Sequence, residues 1–132
     1  MSEFKKLAII LKSEDYEKAH AVAMISSVAA VSEIDVSIFV TMNAIYNFLK
    51  VNVKENKFTG GKIFEKLKEK KAQMFYDMLE QAKMFGRLKI YACSMVMDLL
   101  DLKKEDLLDI VDDNIGLAAF LGIMEEAKTI TF

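Results

Sequence analysis

The chain contains no tryptophan and no proline, and only one cysteine, one histidine and five glycines in 132 residues. Each scarcity excludes something. A lone cysteine, Cys93, cannot close a disulfide within the chain, and it rules out a cysteine-rich metal site. With His20 as the only histidine the usual zinc ligand sets cannot be assembled, so no metal is expected. No G-x-G-x-x-G follows the first strand-like run, so the dinucleotide fingerprint is missing and no cofactor is expected. Charge of one sign is also scarce: the net value is −2, too small to draw the chain to nucleic acid. Lysines gather between residues 62 and 71, but Glu65 and Glu69 interleave with them, the pattern of a solvated helix face. Long apolar runs are absent. The least polar stretch, residues 19–31, is interrupted by His20, Ser26 and Ser27 and is too short to span a bilayer. Residues 7–11 are too few for a signal-peptide core, and Lys12, Glu14 and Asp15 follow at once. These exclusions lead to the expectation of a cytoplasmic protein with neither membrane nor nucleic acid as a partner.

What the chain does have is apolar residues, 53% of the total. That is enough for one folded domain over residues 1–132. It is also a surplus for so small a chain, which predicts that some of it is buried between subunits of a homo-oligomer.

The apolar residues fall into alternating strand-like and helix-like patterns. Residues 6–11 are a short continuous apolar run, as in a strand covered on both faces. Ser13 or Asp15 can cap the helix predicted over 16–31. Residues 36–40 are β-branched and apolar, a second strand. Thr41-Met42-Asn43 closes it, and Thr41 or Asn43 can cap one or two helical turns over 44–49. Residues 51–61 are polar and hold two glycines, the best candidate for a mobile loop. Gly60-Gly61-Lys62 lacks the spacing of a phosphate loop. A long amphipathic helix is predicted over 63–85, with Gly86 as its C-terminal stop. A third strand follows over 88–92, then a helix from Ser94, another over 103–111, a break at Asp112-Asp113-Asn114, a helix over 115–127 and a last strand over 129–132. Strands and helices alternate with no hairpin signal, and there is no internal repeat. The expected fold is a three-layer α/β sandwich around a mostly parallel sheet of four or five strands.

In such sheets ligands bind beyond the carboxyl ends of the strands. Three of these ends carry polar groups: Ser13 and Glu14 after the first strand, Thr41 and Asn43 after the second, and Cys93, Ser94 and Met95 after the third. Ser13, Thr41, Asn43, Ser94 and Met95 are therefore the candidate substrate-binding residues, and Cys93 is the candidate catalytic group. A helix that starts at the cysteine offers unpaired N–H groups, and that field favours a thiolate over a thiol. The residues leave a second reading open, in which Cys93 is a small buried hydrophobe at a strand end. Ser94 can serve as a helix cap or as a donor to an anion on sulfur. His20 sits more than a turn into the first helix, away from this rim, and a helix residue without catalytic duty is expected there.

Cys93-Ser94-Met95-Val96-Met97-Asp98, followed by Leu102-Lys103-Lys104-Glu105-Asp106-Leu107, resembles the segment around the single cysteine of DsrE/DsrF-like proteins. These are small α/β proteins of sulfur relay with a flavodoxin- or Rossmann-like topology. The resemblance implies that Cys93 accepts sulfane sulfur or a thiosulfonate group and passes it to a partner thiol. It implies a small sulfur-carrier protein or a rhodanese-type enzyme as partner, and a trimer or hexamer as the assembly. The chain departs from its relatives at Asp101, where they often carry glycine, and at Thr41-Met42-Asn43-Ala44, where they carry aromatic residues and glycine. Asp tolerates a left-handed turn, so the first departure leaves the fold intact. The second alters the ligand pocket. An oligomeric small-molecule-binding module with a structural cysteine is the alternative function.

Overall fold

The computed structural model describes residues 4–132. Its core is one five-stranded sheet, parallel throughout. The chain begins with β1 (Lys6–Leu11), crosses by α1 (Tyr16–Val31) to β2 (Asp35–Val40), and passes through a 3₁₀ segment (Met42–Phe48) and a short α2 (Lys50–Lys54). Then come α3 (Lys62–Glu69), α4 (Phe75–Lys83) and β3 (Leu88–Cys93). After β3 the chain runs through α5 (Ser94–Leu99), a single 3₁₀ turn (Lys104–Asp106), β4 (Asp113–Ile115), α6 (Leu117–Met124) and β5 (Lys128–Thr131). The order across the sheet is β4-β3-β2-β1-β5. The chain therefore steps outward from β1 to β4 and returns to the other side of β1.

Alternation along the strands explains the layers. Leu7, Ile9 and Leu11 of β1, Val36, Ile38 and Val40 of β2, and Leu88, Ile90 and Ala92 of β3 are all buried. On that face α1 packs against β1 and β2, and Leu7 lines one groove with Ile25, Val28 and Ala29 of the helix. On the opposite face Phe39 of β2 stacks on Phe120 of α6, with ring centroids 4.8 Å apart. Helices thus cover both faces, as the continuous apolar runs of β1 and β2 demand.

Tyr16, at the start of α1, is the hub of the first layer. It is fully buried. Its ring centroid lies 4.5 Å from that of Phe64, 5.4 Å from Phe58 and 5.6 Å from Phe75. Its hydroxyl accepts the N–H of Phe75 at 2.9 Å. The same hydroxyl lies 3.2 Å from His20 Nδ1 and 3.4 Å from Met74 Sδ, and donates to one of them.

This hub accounts for two departures from the sequence pattern. The long helix over 63–85 is two helices, α3 and α4, separated at Lys70–Met74 by a turn in which Lys71 stands at φ +53°. In one straight helix Phe64 and Phe75 would be about 16 Å apart along the axis. Both pack on Tyr16, so the chain must fold back between them. The segment over 51–61 is held rather than free. Tyr16 N–H donates to Thr59 O at 2.8 Å. Phe58 joins the aromatic cluster. The Glu17 carboxylate accepts from Gly61 N–H at 2.6 Å and Phe64 N–H at 3.0 Å. Gly61, next to Lys62, thus binds an internal anion, as the exposed start of a helix favours.

Two more departures lie near β4. The helix expected over 103–111 is only the 3₁₀ turn, closed where Asp106 Oδ2 accepts Lys103 N–H at 2.8 Å. Beyond it Leu108 N–H donates to Phe48 O at 2.9 Å, and Leu107, Ile110 and Val111 plug the core. Tertiary backbone partners replace the helical ones there. Asp112-Asp113-Asn114 does not cap a helix: Asp113–Ile115 is strand β4, paired with residues 91–93, and α6 starts at Leu117 with Gly116 at its N-cap. Asp112 latches this edge strand. Its Oδ2 accepts Ile90 N–H at 2.8 Å and Lys83 Nζ at 2.5 Å.

Candidate functional site

Because all five strands are parallel, their carboxyl ends form one rim. Val40 is in register with Ala92, and Cys93 with Ile115, so Thr41, just past β2, and Cys93, the end of β3, stand on neighbouring strands. Cys93 is the last residue of β3 and the N-cap residue of α5. It is 5% exposed. The two residues after it diverge. Ser94 Oγ accepts from Asn114 Nδ2 at 2.9 Å, a bond that ties the start of α5 to β4. Met95 points outward and is exposed, as is Met42 on the neighbouring loop. Met42 stands at φ +49°, a left-handed conformation costly for a side chain of this size. Asp101, after α5, stands at φ +54°.

The other half of the rim is built separately. Ser13 Oγ accepts from Asp15 N–H at 3.1 Å and shapes the turn after β1. Neither Asp15 nor Ser13 makes a side-chain cap to α1, and Thr41 makes none to the 3₁₀ segment. Thr41 is buried, with its N–H on Leu11 O at 2.9 Å. Asn43 Nδ2 donates to Glu14 Oε1 at 3.2 Å. The expected site residues thus fall into two groups on one rim. Cys93, Ser94 and Met95 stand with Asn114, while Ser13 and Asn43 stand with Glu14. Thr41 begins the loop between them.

His20 belongs to neither group. It is half-buried beside Tyr16, with ring centroids 5.6 Å apart, and burial lowers its pKa. Burial also pushes the Tyr16 phenol up to about 12, against the lowering effect of the Phe75 N–H. Asn114 is not among the site residues expected from the sequence. It lies in a polar tripeptide that looks like a chain break, and only the pairing of β4 with β3 brings it to Ser94. Among the described residues no group of three or more His, Cys, Asp and Glu side chains converges as a metal site. No helix among them is long and apolar enough to cross a membrane.

Comparison with known proteins agrees with this fold. Two solved structures share the fold. One is the YchN protein of E. coli, with a TM-score of 0.66 at 15% identity, over 98% of this chain and all of that one. The other is MTH1491 of Methanobacterium thermoautotrophicum, described as a protein of unknown function, with a TM-score of 0.57 at 12% identity, over 96% of this chain and 98% of that one. In sequence the chain is 31% identical to the uncharacterised protein YrkE of Bacillus subtilis, over 97% of this chain and 96% of that protein. The sequence profile of one family matches residues 42–132, the part that holds Cys93, Ser94 and Asn114. By that match, over more than half of its length, the chain belongs to the DsrE/DsrF/DrsH-like family.

Proposed function

We propose that this chain is a sulfur-relay protein whose carrier is Cys93. Family membership suggests sulfur relay at the level of the family. The observation that carries the finer reading is the position of the only thiol, at the carboxyl end of a central strand, on the rim where α/β sheets bind ligands. The Cys93 thiolate attacks the outer sulfur of a sulfane donor. With thiosulfate the donor S–S bond breaks, sulfite leaves with the electron pair, and Cys93 holds a persulfide. With tetrathionate the thiolate attacks a central sulfur instead, the central S–S bond breaks, thiosulfate leaves with the electron pair, and Cys93 holds a thiosulfonate. A thiolate of the partner, a small sulfur-carrier protein or a rhodanese-type enzyme, then takes the outer sulfur from the persulfide and returns Cys93 to the thiolate. Ser13, Thr41, Asn43, Ser94 and Met95 line the rim that the donor approaches.

The test is the intact mass of native protein after exposure to polysulfide, thiosulfate or tetrathionate. The expected result is an adduct that dithiothreitol removes and that Cys93→Ala does not form. An adduct of equal yield on Cys93→Ala would sink the reading.

Self-association is part of the same proposal. Helix α6 carries no charged residue, yet Leu117 and Leu121 are 56% and 55% exposed. A second copy of the chain would bury them, in the trimer or hexamer that the family resemblance implies. A second function, a binding module with a structural cysteine, is favoured by one observation, the burial of Cys93. It requires a thiol that stays inert to every sulfur donor in the folded protein.

A further inference from the structure

The rim holds a cleft that the chemistry of Cys93 does not use. It lies between the turn after β1 and the segment that leads from the 3₁₀ helix to α3, and its volume is about 390 Å³. That is within the range of roughly 300–1,000 Å³ typical of small-molecule sites. Its walls carry both signs of charge: Glu14 and Lys57. Neither has an ion-pair partner among the described residues.

The acidic side is built. Asn43 Nδ2 holds Glu14 Oε1 at 3.2 Å, and Asn47 Nδ2 holds the Glu14 carbonyl at 3.0 Å. Asn47 is only 3% exposed, and that one hydrogen bond fixes its amide plane. Its other polar atom, Oδ1, lacks a protein donor, and the residue lines the cleft. A carboxylate and an amide oxygen together suit an ammonium group. Lys57 Nζ and the Tyr46 hydroxyl, also without protein partners, supply donors to the same cleft, and Phe58 adds an apolar surface.

We propose that this cleft binds a free α-amino acid as its zwitterion. The ammonium sits against the Glu14 carboxylate and Asn47 Oδ1, the carboxylate against Lys57 Nζ and the Tyr46 hydroxyl, and the side chain over Phe58. A ligand with both charges a few bonds apart answers two unpaired opposite charges in one cleft. A simple amine or a simple acid answers only one.

Calorimetric titration of the native chain with each standard amino acid tests this, alongside the N-acetyl and methyl-ester forms of any that bind. The expected result is saturable binding of at least one free amino acid, weakened about tenfold or more by blocking either end. Glu14→Gln and Lys57→Met should each weaken it by a similar factor, with unchanged urea midpoints. Cys93→Ala should bind as the native chain does, so sulfur transfer and this site fail or stand separately. Absence of binding by every free amino acid at millimolar concentration would overturn the proposal. So would blocked forms that bind equally well, or charge variants that bind like the native protein.

Discussion

Glu17 is a residue whose charge ties two helices together. It sits on α1 and receives two N–H groups at the start of α3. Burial alone would raise its carboxyl pKa. The N–H bonds of Phe64, of its own backbone and of Gly61 outweigh that and hold it below the ordinary 4.5. The folded state therefore binds this proton more weakly than the unfolded chain does. The resulting stability is complete above the unfolded value and is lost as pH falls through the lower folded value. Glu17→Gln should cost about 1 kcal/mol at neutral pH. Urea midpoints of native and variant protein should converge as pH drops from neutral to below 4.5; a constant gap would refute the charge argument. At Cys93 the test is the donor-dependent mass shift that Cys93→Ala abolishes.

Among the elements, the pair α3 and α4 depends on what surrounds Tyr16. Tyr16→Phe keeps the ring but leaves the buried Phe75 N–H without its acceptor. An orphaned buried donor costs about 1–3 kcal/mol. That loss should appear as a lower urea midpoint with little change in the aromatic packing seen by near-ultraviolet circular dichroism. Gly60 guards the same joint from the other side. A Cβ there would lie 2.4 Å from both Cβ and Cδ2 of Phe64. Since Phe64 is buried against Tyr16, it cannot yield cheaply, and Gly60→Ala should cost about 1–3 kcal/mol. A neutral Gly60→Ala would mean that the 51–61 segment is looser than its bonds imply. The sequence made this segment look mobile because its glycines and polar residues carry no local pattern. Its anchors, Tyr16, Glu17 and Thr59, come from other parts of the chain or bond through backbone, and periodicity cannot report them.

The whole molecule presents α6 to solvent with an apolar surface and no charge to solvate it. The expected mass in light scattering at micromolar concentration is a multiple of the 15.0 kDa chain. Leu117→Glu with Leu121→Glu should lower it toward the monomer, since two charges in an apolar interface are costly. A monomeric native protein would remove the assembly from the proposed function.

Much of the architecture was legible in the residues themselves. Apolar runs at 6–11 and 36–40, alternating with helical periods, specify a parallel sheet covered on both faces, because only burial on both sides suits such runs. The place of Cys93, where apolar strand gives way to helix, follows from the same local pattern. Tertiary structure alone decided the rest. A three-residue polar strand such as Asp113–Ile115 has no hydrophobic alternation to announce it; it exists because β3 offers an unpaired edge and Asp112 latches it to Ile90 and Lys83. The break between α3 and α4 is likewise set by one ring, Tyr16, that both helices must reach. The cleft at Glu14 is a product of tertiary structure too, because its two charges lie 43 positions apart in the chain. Local patterns record which side chains avoid water, whereas bends, edges and clefts depend on distant partners that meet only in the folded chain.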